Sequence, residues 1–276
     1  MVMECSRKLQ QRVPCQKIHN KRGQKSNTKA NTKKSPGYDL ITNKILKELP
    51  NSGVRLMTEI YNAMTKLQFI PPQWKVAQII MLLKPGKQPE DPKSYRPISL
   101  LPIPSKIYES LLLLRILPLV EQHKIIPDHQ FGFRRKHATV DQIHRLINEI
   151  DKSLNPKSTA RVYFLTYLRR LTESPTGSVL GPLLYLIYTS DLPTSDCITT
   201  GTFADDTAIL ASHQDPAEAS KILQDGLNNI LNWLKRWRIK VNESKSVSVI
   251  FTLKKGICPR LKINNIEIPK QTTRDT

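Results

Sequence analysis

Apolar residues recur at helical spacing over two long stretches. Between residues 217 and 237, Ile222, Leu223, Leu227, Ile230, Leu231 and Leu234 share one face of a 3.6-residue period, predicting an amphipathic helix that lies under a sheet. Val54, Met57, Ile60, Tyr61 and Met64 do the same over about 53–67, after a Ser35-Pro36-Gly37 turn and a helix reaching about Leu49. Helices are also predicted from Pro104 to about Gln122, where a Leu/Ile stripe reads as core packing, from Thr139 to Lys152, and from Ser178 to about Thr189. Shorter apolar runs predict strands. Trp74 to Leu83 reads as a strand ending in the basic turn Lys84-Pro85-Gly86-Lys87, and the chain returns through Ser94-Tyr95-Arg96-Pro97-Ile98 as a hairpin. Ala160–Leu165 reads as a strand, as does 247–253, which a short hairpin to Ile268 follows. Thr199–Phe203 and Thr207–Ser212 flank two adjacent carboxylates, Asp205 and Asp206, as the arms of another hairpin. Helices and strands mixed in this way predict an α+β fold.

Charge narrows the function. There are 43 Lys and Arg against 23 Asp and Glu, a net charge of +20, and an excess of that size points to a polyanion, nucleic acid above all. Residues 1–34 hold ten of the basic residues against one acid, with little apolar periodicity, and read as a disordered basic arm. That arm suits contact with phosphates or nuclear import, and equally suits incidental translated sequence. Cys5, Cys15, Cys197 and Cys258 show no metal-ligand spacing, so reduced thiols are expected. No apolar run approaches the roughly 20 residues that span a bilayer, and the first residues have no apolar segment after their charges. An intracellular protein of nucleus or cytoplasm is expected, without a membrane.

Candidate chemistry centres on Asp205 and Asp206. Neighbouring residues of a strand point to opposite faces, so one carboxylate can bind a divalent metal directly while the other supports it from nearby. Taken alone, such a turn is as readily solvated surface. Lys84 and Arg96 sit where a basic hairpin could fold over phosphates, and guanidinium pairs with phosphate in a bidentate fork. Phe131 and Phe133 alternate with Arg134 and Arg135, a pattern that single strands favour, although both rings also suit a core.

In chain order, Ser-Pro-Gly-x-Asp at 35–39, Lys-Pro-Gly-Lys to Tyr-Arg-Pro-Ile-Ser at 84–99, Gln-x-Gly-Phe-Arg at 130–134, Pro-Thr-Gly-Ser at 175–178, Phe-Ala-Asp-Asp at 203–206 and Asn-x-x-Lys at 242–245 resemble a reverse transcriptase of the jockey-like non-LTR retrotransposons. The resemblance covers roughly 35–270. It implies a right-hand polymerase fold, with a fingers-like region at 35–155, a truncated palm at 156–270, a tail at 271–276 and no complete thumb. It further implies an RNA template, a DNA primer and dNTPs as partners, with Mg²⁺ as cofactor on Asp205 and Asp206. Lys84 and Arg96 would be fingertip cations facing template and triphosphate, and Arg134 would lie on the template side. Gly177 and Ser178 would approach the base pair and the incoming sugar, with Thr176 where the family has Gln. Lys245 would protonate the leaving pyrophosphate.

The resemblance breaks once. The family's catalytic strand ends Phe-Leu-Asp, whereas Phe164-Leu165 is followed here by Thr166, and no Asp or Glu lies between Asp151 and Glu173. Tyr167-Leu168-Arg169-Arg170 resembles a segment that the family carries much later, so an internal deletion covering the first catalytic Asp is expected. RNA-templated DNA synthesis in retrotransposition is then the function by descent, with catalysis lost. The alternatives are a noncatalytic nucleic-acid-binding remnant and an unstable translated pseudogene fragment.

Overall fold

The computed structural model describes residues 35–154, 158–168, 177–242, 246–252, 259–263, 266–268 and 270–272. The basic arm 1–34, Thr176 and Lys245 lie outside them. Helices and strands mix as expected of an α+β chain, in the order α1 (Asn43–Lys47), α2 (Asn51–Leu67), α3 (Pro72–Lys75), β1 (Gln78–Leu83), β2 (Tyr95–Leu100), α4 (Ile103–Gln122), α5 (Thr139–Leu154), β3 (Thr159–Leu168), α6 (Gly181–Tyr188), β4 (Thr199–Phe203), β5 (Asp206–His213), α7 (Pro216–Arg236), β6 (Lys240–Val241), β7 (Val247–Phe251), β8 (Lys262–Ile263), β9 (Ile266–Glu267) and β10 (Lys270–Thr272). Among the described residues no helix is long and apolar enough to cross a membrane. The described residues form two compact units, one within 1–125 and 172–187, the other within 126–171 and 188–276.

The first unit is built on helices. Leu46, Tyr61, Met64, Ile103, Ile107, Tyr108 and Leu111 make its core. Tyr61 stacks on Tyr108 at a ring separation of 5.6 Å and donates its hydroxyl to Pro104 O at 3.0 Å, and burial raises its pKa well above the usual phenol range. Three sequence expectations shift here. The strand expected from Trp74 begins at Gln78, because the Pro71-Pro72 pair starts one helical turn whose Trp74 packs on Tyr61. Ile60, placed on the apolar stripe of α2, is 39% exposed. The Leu run of α4 is not all core, since apolar residues continue round the helix and Leu114 is 56% exposed.

β1 and β2 pair as the expected antiparallel hairpin, with Leu82 opposite Arg96 and Leu83 opposite Tyr95. Every residue of β1 is exposed.

The second unit is a sheet between two helices. Its strand order is β10-β7-β3-β5-β4, with β6 added at the far end of β3; among the described strands β10 pairs parallel to β7 and the other pairs are antiparallel. Side chains of β3 alternate between the faces. Tyr163 and Leu165 join Ile209 and Ala211 against Leu223, Leu227, Ile230 and Leu234 of α7, the stripe expected from periodicity. Val162 joins Ala208 and Leu210 against Leu146 of α5 on the other face. Asp215 caps α7 by accepting from Ala217 N at 3.0 Å, and Pro216 occupies its first turn.

Arg161 is 1% exposed in the middle of this sheet. Its guanidinium donates to Ser248 Oγ at 3.2 Å, Ser220 Oγ at 2.7 Å and the Pro259 carbonyl, tying β3 to β7, α7 and the segment at 259. A buried cation costs several kcal/mol unless such acceptors surround it.

The two units predict contrasting responses to truncation. Leu227→Ala, at a site with 0% exposure, is expected to lower unfolding free energy by about 2–5 kcal/mol. Leu82→Ala, 49% exposed in the hairpin, is expected to change it by less than about 0.5 kcal/mol. Urea denaturation of both variants checks this, and equal effects would contradict the assignment of the core.

Candidate active site

The Asp pair lies on the hairpin that the sequence predicted. β4 and β5 pair antiparallel, Phe203 opposite Asp206 and Thr202 opposite Thr207, leaving Ala204 and Asp205 as a two-residue turn. The residue in the left-handed region is Ala204, with φ +56°, rather than an Asp. An L side chain there is disfavoured, so the surroundings must fix the turn.

They do so through a loop that precedes α5. Gln130 is 4% exposed and its Oε1 accepts from Gly132 N at 2.8 Å and from Ala204 N at 3.2 Å. Phe131 N donates to Thr202 O and Thr202 N donates to His129 O, both at 2.9 Å, so the loop runs beside β4 as a short parallel bridge. A Cβ on Gly132 would stand 2.0 Å from Ala204 N, so only glycine lets the two backbones meet. Burial, then the Arg145 guanidinium, lowers the pKa of His129 below the usual imidazole value, with Asp128 opposing. Sequence reading left this loop open between contact with a single strand and core packing, and missed its hold on the Asp turn. The signal present was a Gln two residues before a Gly, which backbone pairing alone makes meaningful. Arg134 is turned to the same loop, donating to Pro127 O at 3.3 Å and Gln130 O at 3.2 Å.

Asp206 opens β5 and is exposed, whereas Asp205 is half-buried. β3 runs three residues beyond its expected end at Leu165, and Thr166 stands directly opposite Asp206. Alternation puts both side chains on one face, and Thr166 Oγ1 donates to Asp206 Oδ1 at 3.0 Å. Asn242 N then donates to Thr166 O at 2.8 Å, joining the chain after β6 to the same position.

The other candidates lie in the first unit. Lys84 N donates to Ser94 O at 2.8 Å, continuing the register of β1 and β2, so Lys84 and Arg96 share the face of Leu82. Lys84 Nζ donates to the Lys93 carbonyl, and Arg96 is exposed. Gly177 has φ +118°, and a Cβ on it would lie 2.3 Å from Ser99 O. Ser178 Oγ donates to Glu109 Oε2 at 2.8 Å, and the same oxygen accepts from Val179 N and from Leu180 N. Ser178 Oγ in turn accepts from Gly181 N at 3.1 Å, so α6 begins three residues later than expected. Glu109 was invisible in the sequence because the pattern of α4 is read through its leucines.

The carboxylate hairpin lies within a stretch that matches a known family. Residues 167–255 match the reverse transcriptase (RNA-dependent DNA polymerase) family, and the chain carries a domain of that family, related to the polymerases of jockey-type transposons. It is 36% identical to "Probable RNA-directed DNA polymerase from transposon X-element" of Drosophila melanogaster, over 86% of this chain and 32% of the relative. It is 37% identical to the corresponding protein of transposon BS from the same species, over 80% of this chain and 31% of the relative. It is 32% identical to "RNA-directed DNA polymerase from mobile element jockey", again over 31% of the relative. The chain thus spans about a third of the length of these relatives. The family in general uses divalent ions such as Mg²⁺ and binds template, primer and dNTPs.

The bracing of the turn predicts opposite outcomes at two adjacent backbones. Gly132→Ala should destabilise the chain by about 1–3 kcal/mol through overpacking. Ala204→Gly should be neutral or stabilise it by up to about 1 kcal/mol, because glycine adopts a positive φ without strain. Denaturant midpoints report both, and an unchanged midpoint for Gly132→Ala would refute the contact.

Proposed function

We propose that the chain is the fingers and truncated palm of a right-hand reverse transcriptase that has lost catalysis, its lineage's activity being RNA-templated DNA synthesis in retrotransposition. The observation that carries the proposal is the pairing of Thr166 with Asp206. Nucleotidyl transfer by two metal ions asks for carboxylates from separate strands, holding ions about 3.5–4 Å apart. β3 meets Asp206 here with a neutral hydroxyl that donates a hydrogen bond to it. Asp205 and Asp206 are adjacent on one hairpin, and among the described residues no group of three or more His, Cys, Asp or Glu could hold a metal ion. This donor set does not fit a pair of Mg²⁺ ions.

Two further facts support an internal deletion. The family match begins at residue 167, one past Thr166. The X-element alignment runs over 290 positions, whereas 86% of 276 residues is about 237, so some fifty positions have no counterpart in this chain.

In this reading Asp205 and Asp206 are the remnant of the metal site, and Lys245 is the leaving-group acid. Lys84 and Arg96 face template and triphosphate, Arg134 lies on the template side, and Gly177 with Ser178 lies under the nascent base pair. RNA, DNA primer and dNTP are the ligands, in the nucleus or cytoplasm. The charge of +20 favours retained nucleic-acid binding of low sequence specificity.

Primer extension on an RNA template with Mg²⁺ tests the proposal. The chain, its Asp205→Ala variant and its Thr166→Asp variant are all expected to give no product, since the deletion also removes backbone that shapes the site. A chimera carrying the missing segment from a related transposon is expected to extend the primer. Robust extension by the chain itself, abolished by Asp205→Ala, would show an intact site.

A further inference from the structure

On the outer side of α7, Gln224, Asn228, Asn232 and Lys235 form a single stripe at helical spacing. Gln224 is fixed: its Oε1 accepts from Lys262 N at 2.9 Å and its Nε2 donates to Lys262 O at 3.0 Å, so the side-chain amide acts as a strand partner for the segment at 261–263. That clamp stands Arg260 and Lys262 up as a second wall. Between the walls runs an open cleft of about 610 Å³ floored by Leu231. Among the described residues its polar lining is amides and cations. Arg260 is set by Glu267, whose Oε2 accepts from it at 2.9 Å. Arg236, Arg238 and Lys240 follow Lys235 in the chain and add to the local excess of cations.

We propose that this cleft binds the sugar–phosphate backbone of a single-stranded nucleic acid, as a contact surface separate from the Asp hairpin. Cations on both walls neutralise successive phosphates, while the carboxamides of Asn228 and Asn232 donate to phosphate and sugar oxygens or pair with base edges. An open groove admits a strand that enters and leaves, and with Arg260 paired to Glu267 the cations left to meet phosphate are Lys235 and Lys262. Cation and amide side chains without aromatic platforms predict binding insensitive to base identity. The inference rests on the reading that the chain binds nucleic acid, and adds to it a surface outside the polymerase face.

The test is fluorescence-anisotropy titration of a labelled oligouridylate with the full chain over a range of salt. Lys235→Ala/Lys262→Ala should flatten the dependence of log affinity on log salt by about 1.4, about 0.7 for each phosphate of a single strand that is no longer neutralised. Asn232→Asp, an exposed near-isosteric change, should weaken binding severalfold without altering the thermal melt. Ultraviolet cross-linking should attach the oligonucleotide to peptides from 231–235 or 259–263. Unchanged affinity and slope in both variants, while Lys84→Ala/Arg96→Ala lowers them, would overturn the cleft and leave nucleic-acid binding standing. Absence of binding by the unaltered chain would overturn the underlying reading instead. Displacement by a free deoxynucleoside triphosphate at matched phosphate concentration would overturn the assignment to a strand. If the double variant melts early, Asn232→Asp alone decides between these outcomes.

Discussion

The alternation of side chains along β3 constrains the rest of the second unit. This strand is paired on both edges, by β5 and β7, and a paired strand has no freedom to slip without moving every side chain to the opposite face. Tyr163 and Leu165 are committed to α7, and Val162 to α5. Arg161, on the α7 face, is locked by two hydroxyls and a carbonyl. With 161–165 fixed, Thr166 has one place to go, which is the face and register of Asp206. The contact between Thr166 and Asp206 therefore follows from packing several residues away. The same packing would deliver a carboxylate to that point if the chain had one there.

A second constraint acts from the opposite side of the hairpin. Ala204 adopts a backbone conformation costly for an L residue, and the Gln130–Gly132 loop supplies the hydrogen bond and the close approach that keep it there. Asp205 is presented by a turn held from two directions, β5 behind it and the Gln130 loop beside it. A scaffold of that rigidity is what preorganised catalysis requires. In the proposed reading it outlasts the carboxylate it would serve.

Much of this was legible in the sequence where a period or a turn carries the information. The six apolar residues of α7 named a helix face, and the Thr-rich runs around Asp205 and Asp206 named a hairpin, because burial enforces both patterns locally. Other features depend on contacts between residues far apart in the chain. The extension of β3 through Leu168 comes from pairing with Asp206 and with Lys240 and Val241. Glu109 finds Ser178 across 69 residues, and Gln130 finds Ala204 across 74. No periodicity encodes such meetings. β1 was legible as a strand, but nothing in its apolar run from Ile79 to Leu83 shows that all of it is exposed.

The central claim is that Thr166 leaves the Asp pair unable to hold two metal ions. Titration of the full chain with Mn²⁺, following free ion by electron paramagnetic resonance, tests this without requiring turnover. The account predicts at most one weakly held ion per chain, lost in Asp205→Ala. Two ions held tightly per chain, both released by Asp205→Ala, would contradict it.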